Sequence, residues 1–165
     1  MITETLRIIR AGGSVTRFHT QRTTQAESVG KHSFGVAWLC YLLSDGKPSM
    51  ALLVAALAHD LAEYVTGDVP APVKGANPDL KHALDRVEAD VLPGALQPPL
   101  TEVEARTLKL ADIFDGMLFC NEERRLGNLD ILPTFEAYYS YAQKFYPLAP
   151  AEQEVLNFIL TNGRP

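Results

Sequence analysis

Apolar residues along this chain recur at helical spacing, and segments rich in glycine, proline and small polar residues separate one apolar run from the next. Ile2, Leu6 and Ile9 mark a first helix over Met1–Arg10, stopped by Gly12-Gly13. Ser14–Ser28 is polar and reads as a loop of about fifteen residues, long enough to suspect function. Val36, Leu39, Cys40 and Leu43 form one stripe of a helix over Val29–Ser44, and Ser44–Pro48 is a turn. The next helix starts near Pro48 or Ser49 and is apolar nearly all round through Ala58, which reads as central and buried. Gly67–Gly75 contains Pro70 and Pro72 and is not expected to be regular. Asn77-Pro78-Asp79 has the form of an N-cap, a first-turn proline and a first-turn acid, opening a helix to about Val91.

Pro93–Pro99 is a further loop, and Thr101 with Glu104 has capping-box spacing for a long helix reaching about Arg125. Gly127-Asn128 ends it, and helices over Pro133–Phe145 and Pro150–Thr161 follow. No alternating strand pattern, repeat or interdomain linker is evident. The expected architecture is all-α: one domain spanning residues 1–165, a bundle of six or seven helices.

Composition narrows the partners. With 47% apolar and 21% charged residues the chain is ordinary for a soluble globular protein. A net charge of −5 argues against nucleic acid as the main partner, although a local basic pocket for a small phosphate ligand is compatible with it. No run approaches the ~20 apolar residues of a membrane span, and the N-terminus does not read as a signal peptide. A cytoplasmic location is expected, and Cys40 and Cys120, each in an apolar segment, read as free buried thiols rather than a disulfide.

The chemistry concentrates where the apolar run ends, at His59-Asp60, with Glu63 one helical turn on and Asp68 just past Gly67. Polar side chains at the end of a buried segment are costly unless something pairs with them, and a metal ion would. On a continuous helix His59 and Glu63 share a face at i and i+4, with Asp60 about 100° away. One helix cannot surround an ion, so other segments must complete the set. His32 at the start of a helix and Asp112 among apolar neighbours are the candidates. Two imidazoles and two carboxylates suit a borderline divalent ion such as Mn, Co, Zn or Fe, with Mg a further choice. Each residue also has an ordinary alternative, a cap or packed histidine for His32 and a Lys or Arg partner for Asp112.

The pattern His32…His59-Asp60…Asp112 on a helical chain resembles the HD-domain metal-dependent phosphohydrolases. The matching text runs from Arg17-Phe18 and Glu27–Ser33 to His59-Asp60-Leu61-Ala62-Glu63. It continues through Gly67–Lys74, Lys109–Asp112, Glu123 and Gly127-Asn128. It is most similar to the YfbR-type 5′-deoxynucleotidases and the related phage deoxyadenosine triphosphohydrolases. That resemblance implies that His32, His59, Asp60 and Asp112 bind the metal. It makes Glu63 the group that orients or deprotonates the attacking water, and Asp68 an aid to the leaving oxygen. Arg17 and Lys74 would grip phosphate, and Phe18 would pack against base or sugar where tryptophan is usual. It further implies a homo-oligomer, a dimer or larger.

Ala71 in place of a usual threonine and Lys31 in place of a usual acid set this sequence apart from the nucleotidases. Those departures lead to an expectation of dNTP triphosphohydrolysis with a dATP preference, with 5′-monophosphatase activity on dNMPs as the near alternative. A non-catalytic helical regulator is the rival from another class, and no dinucleotide, P-loop or nucleophile-elbow motif offers a different enzyme.

Overall fold

The computed structural model describes residues 2–162. Met1, named above as the start of the first helix, and residues 163–165 of the expected domain lie outside the described residues. The helices are α1 (Ile2–Gly13), α2 (Val29–Leu43), α3 (Met50–Ala58), α4 (Glu63–Thr66), α5 (Ala71–Ala76), α6 (Pro78–Val91), α7 (Glu102–Arg125), α8 (Leu132–Ala142) and α9 (Pro150–Asn162). Seven of these have nine residues or more, in line with the all-α expectation of six or seven. The two short ones, α4 and α5, lie in the glycine- and proline-rich region, where Gly67–Gly75 was expected to be irregular. Pro72 sits in the first turn of α5, where its missing N–H costs no hydrogen bond.

The long helix α7 is the centre, and α3 is not. α7 buries Leu110, Ala111, Ile113, Phe114, Met117, Phe119 and Cys120, whereas α3 leaves Met50 and Leu57 exposed. Thr101 caps α7 as expected: its hydroxyl accepts from the Glu104 N–H while the Glu104 carboxylate accepts from the Thr101 N–H. α2 and α3 pack beside α7 through Val36, Leu39, Cys40, Leu52 and Ala56, and α8 and α9 close the other side through Ala142, Leu156 and Ile159. Asn77 precedes α6 without capping it, and its amide donates instead to the Val73 carbonyl of α5.

Ser28 caps α2, its hydroxyl accepting from the Lys31 N–H. The long polar loop is closed by two short antiparallel strands, β1 (Thr16–Arg17) and β2 (Glu27–Ser28), which the sequence pattern did not reveal. Two residues are too few to show alternation. Its tip is tied to the end of α7 by Glu123. That buried carboxylate accepts from the Thr24 N–H at 2.6 Å, the Thr24 hydroxyl at 2.8 Å, the Gln25 N–H at 3.0 Å and the Asn128 amide at 2.7 Å. Cys40 and Cys120 are both free and buried, and burial pushes each thiol up to about 12. Among the described residues no helix is long and apolar enough to cross a membrane.

Candidate metal centre

The chain does not continue as a helix through the His-Asp pair. α3 ends at Ala58, His59 is its C-cap, and residues 59–62 form tight turns before α4 begins at Glu63. The hydrogen bonds here run three residues back, from the Leu61 N–H to the Ala58 carbonyl and from the Glu63 N–H to the Asp60 carbonyl. The single helix face expected for His59 and Glu63 is therefore replaced by a turn. Overwinding to three residues per turn aims His59 and Asp60 at α2 and α7 together. The turn is seated on α1 at Gly12, where a Cβ would lie 2.4 Å from the Leu61 carbonyl oxygen.

His32 of α2, fully buried, faces that turn. Its Nε2 lies 3.3 Å from His59 Nε2, 3.6 Å from Asp60 Oδ2 and 3.3 Å from Asp112 Oδ1 of α7. Asp60 Oδ2 is 3.4 Å from His59 Nε2. The four residues expected as ligands thus meet, and donor atoms of His32, His59 and Asp112 all lie within 4.8 Å of one another.

The donor set fits a divalent cation. His59 Nδ1 is 2.9 Å from the Ala56 carbonyl oxygen, which can only accept, so Nδ1 carries the proton and Nε2 presents a lone pair in the neutral ring. Ligands about 2.1 Å from one ion stand about 3.0–3.5 Å apart, and the spacings here are of that size. Burial opposes the charge on His32, but its bonds to Asp112 and Asp115 prevail and raise it to about 9. Burial likewise opposes ionisation of Asp112, and the His32 bond with the Lys109 and His59 charges holds that carboxyl well below its ordinary value. Lys109 Nζ, one turn earlier on α7, is 2.7 Å from Asp112 Oδ2.

Around this centre lie the other expected residues, each with a partner. Glu63 is buried, with Oε2 unbonded among the described residues and Oε1 3.8 Å from Lys74 Nζ of α5. Burial, with the Asp60 and Asp68 charges beside it, pushes Glu63 up to about 9. Asp68 Oδ2 accepts from the Phe18 N–H at 3.1 Å and so holds a residue whose φ of 56° is unusual for a side chain of this bulk. Phe18 stacks on Phe119, ring centroids 4.6 Å apart, and the Arg17 guanidinium lies over the Phe18 ring 5.3 Å from its centroid. Arg17 is buried 3.8 Å from Glu27, and its Nη1 donates no hydrogen bond among the described residues. Burial opposes its charge, and Tyr138, Asp60, Asp112 and Glu27 outweigh that and hold it firmly protonated. His82, to which no role was attached, stands apart on α6.

Three participants carried no role in the sequence reading. Asp115 meets His32 from behind, Glu27 is the buried partner of Arg17, and Glu123 anchors the loop. A signal existed for Asp115, since a second acid at i+3 from Asp112 in an apolar helix shares its face. Glu27 and Glu123 stood in the quoted motif text but with no role, because their partners are set by the β1–β2 pairing and by the packing of the loop on α7.

The sequence profile of the family described as 5′-deoxynucleotidase YfbR-like matches residues 6–160. The chain belongs to that family. A 5′-deoxynucleotidase of Vibrio vulnificus is 29% identical, over 69% of this chain and 71% of its own length. One from Yersinia pestis is 28% identical over 72% of each. The fold is shared with a cyanophage S-2L HD phosphohydrolase, DatZ, solved with dA and one catalytic Zn2+ (TM-score 0.75, 22% identity, 99% of this chain and 96% of that one). An HD-domain phosphohydrolase of Listeria innocua is equally similar, at TM-score 0.76 and 22% identity over 98% of this chain and 89% of that one. This YfbR-like chain is a metal-dependent phosphohydrolase of the HD type.

Proposed function

We propose that the chain, acting as one HD domain over residues 1–165, is a cytoplasmic 5′-deoxynucleotidase that hydrolyses 2′-deoxynucleoside 5′-monophosphates to deoxynucleoside and orthophosphate. The observation that carries this is the convergence of His32, His59, Asp60 and Asp112 on one point, with Glu63 beside it and its Oε2 unbonded among the described residues. The earlier preference for dATP triphosphohydrolysis gives way because the named relatives are 5′-deoxynucleotidases. The charges agree. Arg17, Lys74 and Lys109 are the cations beside the centre, and Glu27, Asp60, Glu63, Asp68, Asp112 and Asp115 outnumber them. That balance suits a phosphate of charge about −2 better than a triphosphate of about −4.

The metal would be held by His32, His59, Asp60 and Asp112. A divalent ion there (Mn, Co, Zn or Fe, with Mg as a further choice) supplies positive charge to phosphate oxygens and lowers the pKa of water. Arg17 and Lys74 orient the phosphate, Arg17 by its planar fork and Lys74 as a point charge released from Glu63. Glu63 orients the attacking water and takes its proton as the water oxygen joins phosphorus. The bond from phosphorus to the 5′ oxygen breaks, and Asp68 helps a proton reach that oxygen. Phe18, backed by Phe119, packs against the sugar and base.

Triphosphohydrolysis of dATP is the second reading, and Lys31 favours it. Its Nζ lies over the Phe119 ring at 5.7 Å and 3.5 Å from Glu122 Oε2, a cation that would meet outer phosphates on leaving Glu122. Assays of phosphate release from each dNMP and triphosphate release from each dNTP, with Mn, Co or Zn added, separate the two. Turnover of neither class overturns both. His59→Ala is expected to lose metal and nearly all activity. A non-catalytic regulator would instead be metal-free as purified and indifferent to that change.

The assembly proposed is a homo-oligomer, a dimer or larger. Ile2 and Leu6 of α1 face outward, as do Phe34, Trp38 and Tyr41 of α2, an aromatic ladder with successive ring centroids 6.4 and 5.6 Å apart. Exposed aromatic rows of this kind are typical of interfaces.

A further inference from the structure

His32 is gripped from two sides by one helix. Asp112 of α7 faces its Nε2, and Asp115, one turn later on the same helix, places Oδ2 2.6 Å from its Nδ1. A carboxylate can only accept, so Nδ1 donates and the ring cannot turn over without losing this bond. Space for Asp115 comes from α2 itself. At Gly35, one turn after His32, a Cβ would lie 1.9 Å from Asp115 Oδ1 and 2.8 Å from its Cγ. Both helices therefore carry a device at i+3 from a ligand: an acid after Asp112 on α7, and a missing side chain after His32 on α2.

We infer that Asp115, seated against the bare backbone of Gly35, is a positioning residue that fixes the His32 ring with Nδ1–H turned away from the centre and Nε2 turned toward it. A histidine whose far nitrogen is held by a carboxylate is both oriented and made a stronger donor at the near one. The inference rests on the metal reading above for its effect on affinity, but not for its effect on the ring. The two are separable.

The ring is read by NMR on metal-free protein with labelled histidine, and the metal by competition of Zn or Co against a chromophoric chelator. In the wild type, a strongly downfield Nδ1–H resonance is expected for His32. It disappears in Asp115→Ala and moves upfield in Asp115→Asn, which keeps the size and one acceptor but not the charge. Metal affinity is expected to fall about 10–100-fold in Asp115→Ala and less in Asp115→Asn. Gly35→Ala, which displaces the carboxylate without removing it, is expected to match Asp115→Ala in both measurements. Thermal melts confirm that each variant compared is folded, and the near-isosteric Asp115→Asn serves if the alanine variants are not. An unchanged resonance in folded Asp115→Asn, or unchanged affinity in a variant that has lost it, overturns the inference. A wild type that shows the resonance but binds no metal would leave the positioning intact and remove the metal reading instead.

Discussion

At the scale of single residues, the site is a balance of buried charges that ordinary titration values do not describe. Glu63 is kept neutral by burial and by two neighbouring carboxylates, so in the metal-free protein it is a poor base at neutral pH. A cation beside Asp60 reverses the sign of that local field. Glu63→Gln keeps the shape but cannot take a proton. Its kcat is expected to fall about 10²–10⁴-fold while metal content, measured by elemental analysis, stays at the wild-type level. Loss of metal in that variant would make Glu63 a brace for the site rather than a base.

Glu123 shows the opposite balance. Burial works against its charge, but the donors of Asn128, Thr24 and Gln25 hold the carboxyl below its ordinary value of 4.5. A carboxyl lowered on folding stabilises fully above its unfolded pKa, and the contribution disappears as pH falls through the folded value. Glu123→Gln is therefore expected to cost about 2–3 kcal/mol at pH 7, with the gap from wild type narrowing below about pH 4. Chemical unfolding at a series of pH values checks this. A constant gap across that range would assign the loss to packing instead of charge.

At the scale of elements, the site depends on how closely helices approach. The turn at residues 59–62 rests on α1 through Gly12, where an added methyl meets the Leu61 backbone, which cannot swing aside as a side chain would. Gly12→Ala is expected to destabilise the fold by about 1–3 kcal/mol and to weaken metal binding, since the same turn carries His59 and Asp60. Calorimetry and the chelator competition read the two effects. Destabilisation with unaltered affinity would show that α1 supports the fold and not the site.

At the scale of the whole molecule, the proposed metal would join elements that are far apart in sequence, because α2, α7 and the turn after α3 each supply part of the candidate donor set. A ligand bound to the folded state alone stabilises it by about 2.7 kcal/mol at a hundred times its Kd. Removing metal with a chelator should lower the melting temperature of the wild type by several degrees and leave His59→Ala unmoved. The outward row of Phe34, Trp38 and Tyr41 makes a separate prediction. Trp38→Glu should shift the sedimentation coefficient toward the monomer while the folded signal is kept. An unshifted oligomer would place the interface elsewhere.

The seven long helices, the cap at Thr101 and the candidate ligand set His32, His59, Asp60 and Asp112 were all legible in the sequence. Helical periodicity, capping preferences and misplaced polar residues are local signals, and the quoted motif added a family. The sequence misjudged where its signals were local but their outcome was not. Ile2 and Leu6 keep helical spacing yet face outward, and α3 is apolar on all sides yet covered on one, since which face is buried depends on the partner helix. The break at His59 was hidden because alanine and leucine on either side favour continuous helix. Tertiary structure alone brought Asp115 to the far side of His32, Glu27 to Arg17 and Glu123 to the loop. The first and last are pairings across 83 and 99 residues that only the packing of the helices and the loop fixes, and the second is set by the β1–β2 register that places Arg17 opposite Glu27.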